Sequence, residues 1–247
     1  MDRGWPQADV FDGSNTSHTA RIAPSMSQPD RSTARRLAHE SLAKGDATGW
    51  FDALYTSASG DAAQIPWADM HVNPNLAGWL AAHPHSGEGK RALVVGCGLG
   101  DDAECFASLG FQVSAFDISR TAIDWCKRRF ANTSVDYCVA DLLNPPTAWR
   151  GAFDFVFEAY TLQVLPPDDR GAAATRLTEC VAPGGALLVI ARGREPSGDR
   201  GTMPWPLTKA ELEGLCDDAL TIVSFEDYFD NEDPPTRRFR VEYRRLA

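Results

Sequence analysis

An apolar run that ends in three alternating glycines limits the folds open to this chain more than any other feature. The stretch is ALVVGCGLGDDAECFASLG, residues 92–110. Ala92 to Val95 is apolar without alternation, as in a strand buried on both faces. Gly96, Gly98 and Gly100 supply a tight turn that the backbone of other residues resists. Asp101 and Asp102 then open a helical stretch, with acid in its first turn and Gly110 as its stop. Strand, glycine turn and helix in this order form the opening unit of an open α/β sheet.

The rest of the chain continues the alternation. FQVSAFD reads as a second strand, and Ser119 as the cap of a helix RTAIDWCKRRF with Ala122, Ile123, Cys126 and Phe130 on one face. VDYCVAD and FDFVFEAY are a third and a fourth strand, residues 170–181 a helix ending in a PGG turn, and ALLVIA a fifth strand. Thr208 and Glu211 form a capping box for KAELEGLC. TIVSFEDYF and RRFRVEYRR alternate and have no helix between them, so they pair as a hairpin that places one antiparallel strand in the sheet. The predicted fold is α/β: a doubly wound, mostly parallel, seven-stranded Rossmann-like sheet. Arg238, Arg240 and Arg244 alternate with Phe239, Val241 and Tyr243 and read as the solvated face of an edge strand. Residues 1–29 are polar and Pro-rich and read as a disordered arm. Residues 30–90 read as a helical cap over one edge, built from ARRLAHESLA with Asp30 or Ser32 as its cap, GWFDALYTSA and NLAGWLAAH. Residues 91–247 are the sheet core, and 30–247 one folded domain.

Bulk properties exclude several function classes. The net charge of -10 repels a phosphate backbone, so nucleic acid is not the expected partner. Asn144-Pro145-Pro146 follows the third strand and precedes Thr147, which is the wrong setting for the NPP motif of amino-methylating nucleic-acid enzymes. No apolar run is long enough for a membrane span, and the first residues show no signal-peptide core. The six cysteines are dispersed without a CxxC pair and read as reduced thiols of a cytoplasmic protein. His83 and His85 lack a third nearby ligand, so no metal is expected. Oligomeric state is not legible.

Ligands of such sheets sit at the carboxyl ends of the strands. There stand the glycine turn, then Asp117 nineteen residues past Gly98, then Asp141, then Glu158 to Tyr160. A carboxylate at Asp117 can accept from two ribose hydroxyls, and Asp141 from the exocyclic amine of adenine. A dinucleotide would set its pyrophosphate at the first helix N-terminus, beside Asp101 and Asp102. The spacing is also GxGxG, not GxGxxG. A phosphate-free, partly cationic nucleoside fits better, and S-adenosylmethionine (SAM) is one.

Through VVGCGLGDD, AFDIS, VAD and FDFVFEAYTLQVLPP the chain resembles the class I SAM-dependent methyltransferases, over roughly residues 46–247. Within them it is similar to the thiopurine and halide methyltransferase branch, through GWFDALY, IPWAD and Pro74. The resemblance implies cofactor contacts from Gly96, Gly98, Gly100, Asp117, Ile118, Asp141, Leu142 and Glu158, and from Trp50 and Trp67. It implies methyl transfer to a small-molecule acceptor at S, O, N or halide by in-line displacement, leaving S-adenosylhomocysteine (SAH).

Such a displacement needs positioning more than acid–base chemistry. Glu158 and Tyr160 are the nearest candidates for a base or positioning group by strand position. The long loop ARGREPSGDRGTMPWPL follows the fifth strand on the same side. From it Arg192, Arg194 and Trp205 could line an acceptor pocket together with Tyr160, and arginine suits an acidic or phenolic acceptor. Plainer roles stay open: Asp117 as a helix cap, Asp141 as a turn acid, Glu158 as an arginine's partner, the tryptophans as cap core, Arg192 and Trp205 as ordinary loop residues. A non-catalytic SAM-binding protein and an NAD-type oxidoreductase are the alternative functions.

Overall fold

The computed structural model describes residues 31–83 and 85–247, so the arm expected over 1–29 and Asp30 lie outside the described residues. Seven strands form one sheet in the order β3-β2-β1-β4-β5-β7-β6. They are β1 Arg91–Val95, β2 Gln112–Asp117, β3 Asp136–Val139, β4 Phe153–Ala159, β5 Val181–Arg192, β6 Leu220–Phe229 and β7 Arg237–Arg245. Neighbours from β3 to β5 run parallel, and β7 is antiparallel to both β5 and β6. The sequence pattern thus finds the fold class, all seven strands and the single reversed strand.

It misplaces that strand. The hairpin turns back so that β7 lies inside the sheet, paired with β5 on one side and β6 on the other. The arginine-rich strand is not an edge. Arg238 is 2% exposed, which the alternation did not foresee because a buried arginine with carboxylate partners looks like a surface arginine in sequence.

The helices are α1 Ser32–Leu42, α2 Gly49–Ala58, α3 Pro74–Ala82, α4 Asp101–Ser108, α5 Arg120–Arg129, α6 Pro167–Glu179 and α7 Lys209–Glu213. Two apolar layers follow. Ala103 and Phe106 of α4, Ile123 and Cys126 of α5, and Leu76 and Trp79 of α3 cover one sheet face. Ala173 and Leu177 of α6 and Leu212 of α7 cover the other. The segment before β1 is therefore divided between two layers. Its third helix packs on the sheet like any core helix, while α1 and α2 share a separate cluster with Leu99, Ala122 and Trp125.

Local chemistry explains most helix starts. Ser119 Oγ accepts from Ala122 N at 3.0 Å, and the Thr208–Glu211 capping box is complete. Asn73, overlooked in sequence, caps α3 by accepting from Asn75 N. Ser32 is the first helical residue of α1 and not its cap; Arg31 precedes the helix without a side-chain cap. Asp52 of α2 accepts from Ser119 Oγ at 2.7 Å and Thr121 N at 2.9 Å, which ties α2 to the start of α5.

Candidate functional site at the carboxyl ends of the strands

A cavity of about 530 Å³ opens at the carboxyl ends of the strands. The glycine turn forms one end. Gly96, Gly98 and Gly100 all adopt positive φ, 60°, 54° and 94°. A Cβ on Gly96 would stand 2.3 Å from Thr161 Oγ1, and one on Gly100 2.5 Å from Tyr137 Oη, so both positions need glycine for space as well as conformation. Gly98 faces Tyr55 and Trp67, whose Nε1 donates to Tyr55 Oη at 2.7 Å.

Asp117 lies buried behind the turn. Its Oδ2 accepts from Gly98 N at 3.1 Å and its Oδ1 from Ser119 N at 2.9 Å. Burial pushes its pKa up to about 6, against the pull of these donors. A carboxylate has four acceptor sites, so capacity remains beyond these backbone donors, and the residue lines the cavity. That is the arrangement a vicinal diol would satisfy, so the residues present fit the ribose of SAM. Asp141 lines the cavity beyond the end of β3, its Oδ1 held by Leu143 N at 2.8 Å. Ile118 and Leu142 line it as well.

The acid pair behaves differently from a free repulsive charge. Arg129 clasps Asp101 with two contacts of 2.8 Å. Asp102 accepts from Asn73 N at 2.8 Å, and burial raises its pKa to about 6. The first turn of α4 is occupied by its own carboxylates, one of them neutralised by Arg129.

Several expected residues stand elsewhere. Trp50 is 2% exposed and does not line the cavity; it stacks on Phe51 at 3.8 Å, and Phe51 lines the cavity in its place. On a helix, neighbouring residues point about 100° apart, and the packing against α1 decided which of the two turned inward. Glu158 is fully buried, absent from the cavity wall, and accepts from Thr161 N and from Leu162 N at 3.0 Å. It closes the turn after β4, and with Oε2 unpartnered its pKa is pushed up to about 7 by burial. No arginine pairs with it among the described residues. Trp205 lies outside the wall, beneath the Arg170 guanidinium at 5.7 Å, and Arg194 is spent on Pro206 O and Glu211. Met203 and Pro204 line the cavity from that loop.

Tyr160 does line the cavity, at a left-handed φ of 67°. Its Oη accepts from Asn75 Nδ2 at 3.0 Å, and Arg238 lies 4.9 Å over its ring. Burial raises its pKa, so the phenol is neutral at pH 7. Arg192 lines the cavity, joined by Arg31, Asp69, His71, Glu232 and Arg238. Sequence reasoning passed over these five. Of them only Glu232 and Arg238 lie in a segment, 230–240, where acids and arginines alternate closely enough to have signalled a charged cluster.

Similarity to known proteins points the same way. Residues 92–185 match a family model described as a methyltransferase domain. Over 201 residues the chain is 27% identical to the probable thiol methyltransferase 2 of Arabidopsis thaliana, covering 78% of this chain and 84% of that protein. The chain carries a methyltransferase domain. The methyltransferase is also 37% identical over 117 residues to the ubiquinone biosynthesis O-methyltransferase of Burkholderia cenocepacia, where it spans about half of each chain, 46% and 49%. In fold it matches the Burkholderia thailandensis 1,6-didemethyltoxoflavin-N1-methyltransferase solved with that compound and SAH. The TM-score is 0.63 and the identity 18%, over 92% of this chain and 94% of the other. Among the described residues no helix is long and apolar enough to cross a membrane.

Proposed function

We propose that the methyltransferase holds SAM at the glycine-turn end of the cavity and methylates a small-molecule acceptor at the end lined by Tyr160 and Arg192. The observation that carries this is Asp117, a buried carboxylate that lines the cavity beside a turn of three positive-φ glycines and has acceptor capacity beyond its backbone donors. In this reading Asp117 takes the ribose hydroxyls, Asp141 the adenine amine, and Ile118 and Leu142 enclose the base. Gly98 lets the backbone approach the amino-acid part, with Trp67 and Phe51 as walls. Bound SAM supplies a methyl group on a positively charged sulfur, which is already a good leaving group.

The chain's own part is to orient the acceptor and exclude water. Tyr160 is a positioning group for the acceptor, because a neutral phenol held by Asn75 can donate a hydrogen bond but is a poor base. Glu158 acts through the backbone, fixing the turn that places Thr161 under Gly96. The likeness to a thiol methyltransferase favours the thiopurine and halide branch, and the loop from Gly193 to Leu207 serves as the acceptor-side lid. The organisation proposed is one folded unit over 30–247, in a cytoplasmic setting consistent with six free cysteines. The net charge of -10 argues against a nucleic-acid acceptor.

Calorimetric titration with SAH, alongside NADH, tests the reading. Micromolar SAH binding is expected, with none for NADH. Asp117→Ala should weaken SAH roughly 100-fold, two charge-assisted hydrogen bonds at about 1.5 kcal/mol each. Absence of SAH binding in ligand-free protein would sink the assignment.

A further inference from the structure

Two arginines meet where the sheet forbids it without compensation. Arg192, the last residue of β5, stands directly opposite Arg238 of β7 in the antiparallel register. Like charges at opposed positions destabilise a strand pair. Arg238 is compensated, by Asp230 at 2.5 Å and by Glu232 at 2.6 Å. Arg192 is not. Its backbone N donates to Gln163 Oε1 at 2.7 Å, which pins the strand end, but its guanidinium forms no ion pair or hydrogen bond among the described residues. Burial, then Arg31, then Arg238 push its pKa down to about 10, so it stays charged at pH 7 without a partner.

Arg31 approaches the same space from the start of α1. Its Nε is buried with no hydrogen-bond partner. Glu232 and Asp69 act on it through space without reaching ion-pair distance, and Glu232 is already engaged by Arg238. Both side chains line the cavity at the acceptor end, between the apolar Met203, Pro204 and Val164. Two half-buried guanidiniums on separate elements, neither in an ion pair or hydrogen bond among the described residues, are costly to hold together unless a ligand neutralises them. A guanidinium fork matches a carboxylate through two parallel N–H donors, which a single atomic anion cannot use.

We propose that the acceptor is a small organic anion whose carboxylate docks between Arg192 and Arg31, with its apolar body against Met203 and Val164. This rests on the methyltransferase reading for the role of the bound molecule, while the anion site itself stands on the arginines.

The test is calorimetric binding of three acid and ester pairs: 4-mercaptobenzoate, 4-hydroxybenzoate and 4-aminobenzoate, each against its methyl ester. The titrations run with and without saturating SAH. At least one acid should bind 10-fold or more tightly than its ester. Arg192→Met should bring that ratio below 2, Arg192→Lys should leave it intermediate, and Arg31→Met should lower it several-fold. SAH affinity in each variant serves as the check on folding. Equal binding of acid and ester in all three pairs, or an undiminished ratio in Arg192→Met, overturns the proposal. Acid preference without SAH binding would keep the anion site and remove the methyltransferase role of the cavity. SAH binding without acid preference would do the reverse.

Discussion

The two ends of one cavity are built by different rules. The glycine-turn end is made of backbone and of side chains a few residues from the strand tips: Gly98 and Asp117 are nineteen residues apart and joined by one hydrogen bond. The other end is assembled from the start of α1, β5, the loop after it and β7, so that Arg31, Arg192 and Arg238 come from the full length of the described chain. The first end depends on turn conformation. The second depends on charges that balance only in three dimensions.

That contrast can be broken by variants. The largest effect is expected at Arg238→Met. It leaves Asp230 and Glu232 without their cation, and breaking a buried pair costs about 3–5 kcal/mol. Urea unfolding should show this loss, with SAH affinity changed less than about threefold if the ends are independent. A parallel collapse of SAH binding would show that they are one energetic unit.

Next comes pH. Glu158 ionises near its ordinary 4.5 in the unfolded chain and near 7 when folded, and Asp117 and Asp102 are raised to about 6. Between these values the folded chain binds more protons, so the unliganded protein should lose stability as pH rises from about 4.5 to 7. Glu158 alone accounts for about 3 kcal/mol of that slope. Glu158→Gln keeps an acceptor for Thr161 N and Leu162 N and cannot ionise, so it should flatten the slope. Thermal unfolding at pH 5, 6, 7 and 8 measures it, and an unchanged slope would place the proton elsewhere.

The smallest effect separates two tryptophans. Trp67→Phe removes the donor to Tyr55 Oη beside Gly98 and should weaken SAH by roughly fivefold, about 1 kcal/mol. Trp50→Phe should change SAH affinity by less than about twofold, because Trp50 packs within the cap and its Nε1 has no partner to lose. Equal effects would mean that Phe51 is positioned by Trp50 closely enough to transmit the change.

Legibility divides along the same line. The strands β1 to β5, the glycine turn, Asp117 and Asp141 at the strand ends, and the caps at Ser119 and Thr208 were all readable, because each depends on a local pattern whose physics is short-range. Trp50 and Glu158 were read to the right neighbourhood but the wrong side. The choice between Trp50 and Phe51 depends on what α1 covers, and Glu158 turned inward to hold two backbone donors. Arg238 was read as solvated, since nothing in RRFRVEYRR says that β6 passes beyond it.

By itself the sequence determined the sheet, the direction of its strands and the turn that faces the cavity. Backbone conformation and apolar alternation act within a few residues, and they leave a local record. Only the tertiary structure decided which strand is interior and which arginine lacks a counter-charge. Charge compensation is a property of neighbours in space, and here those neighbours lie up to about two hundred residues apart.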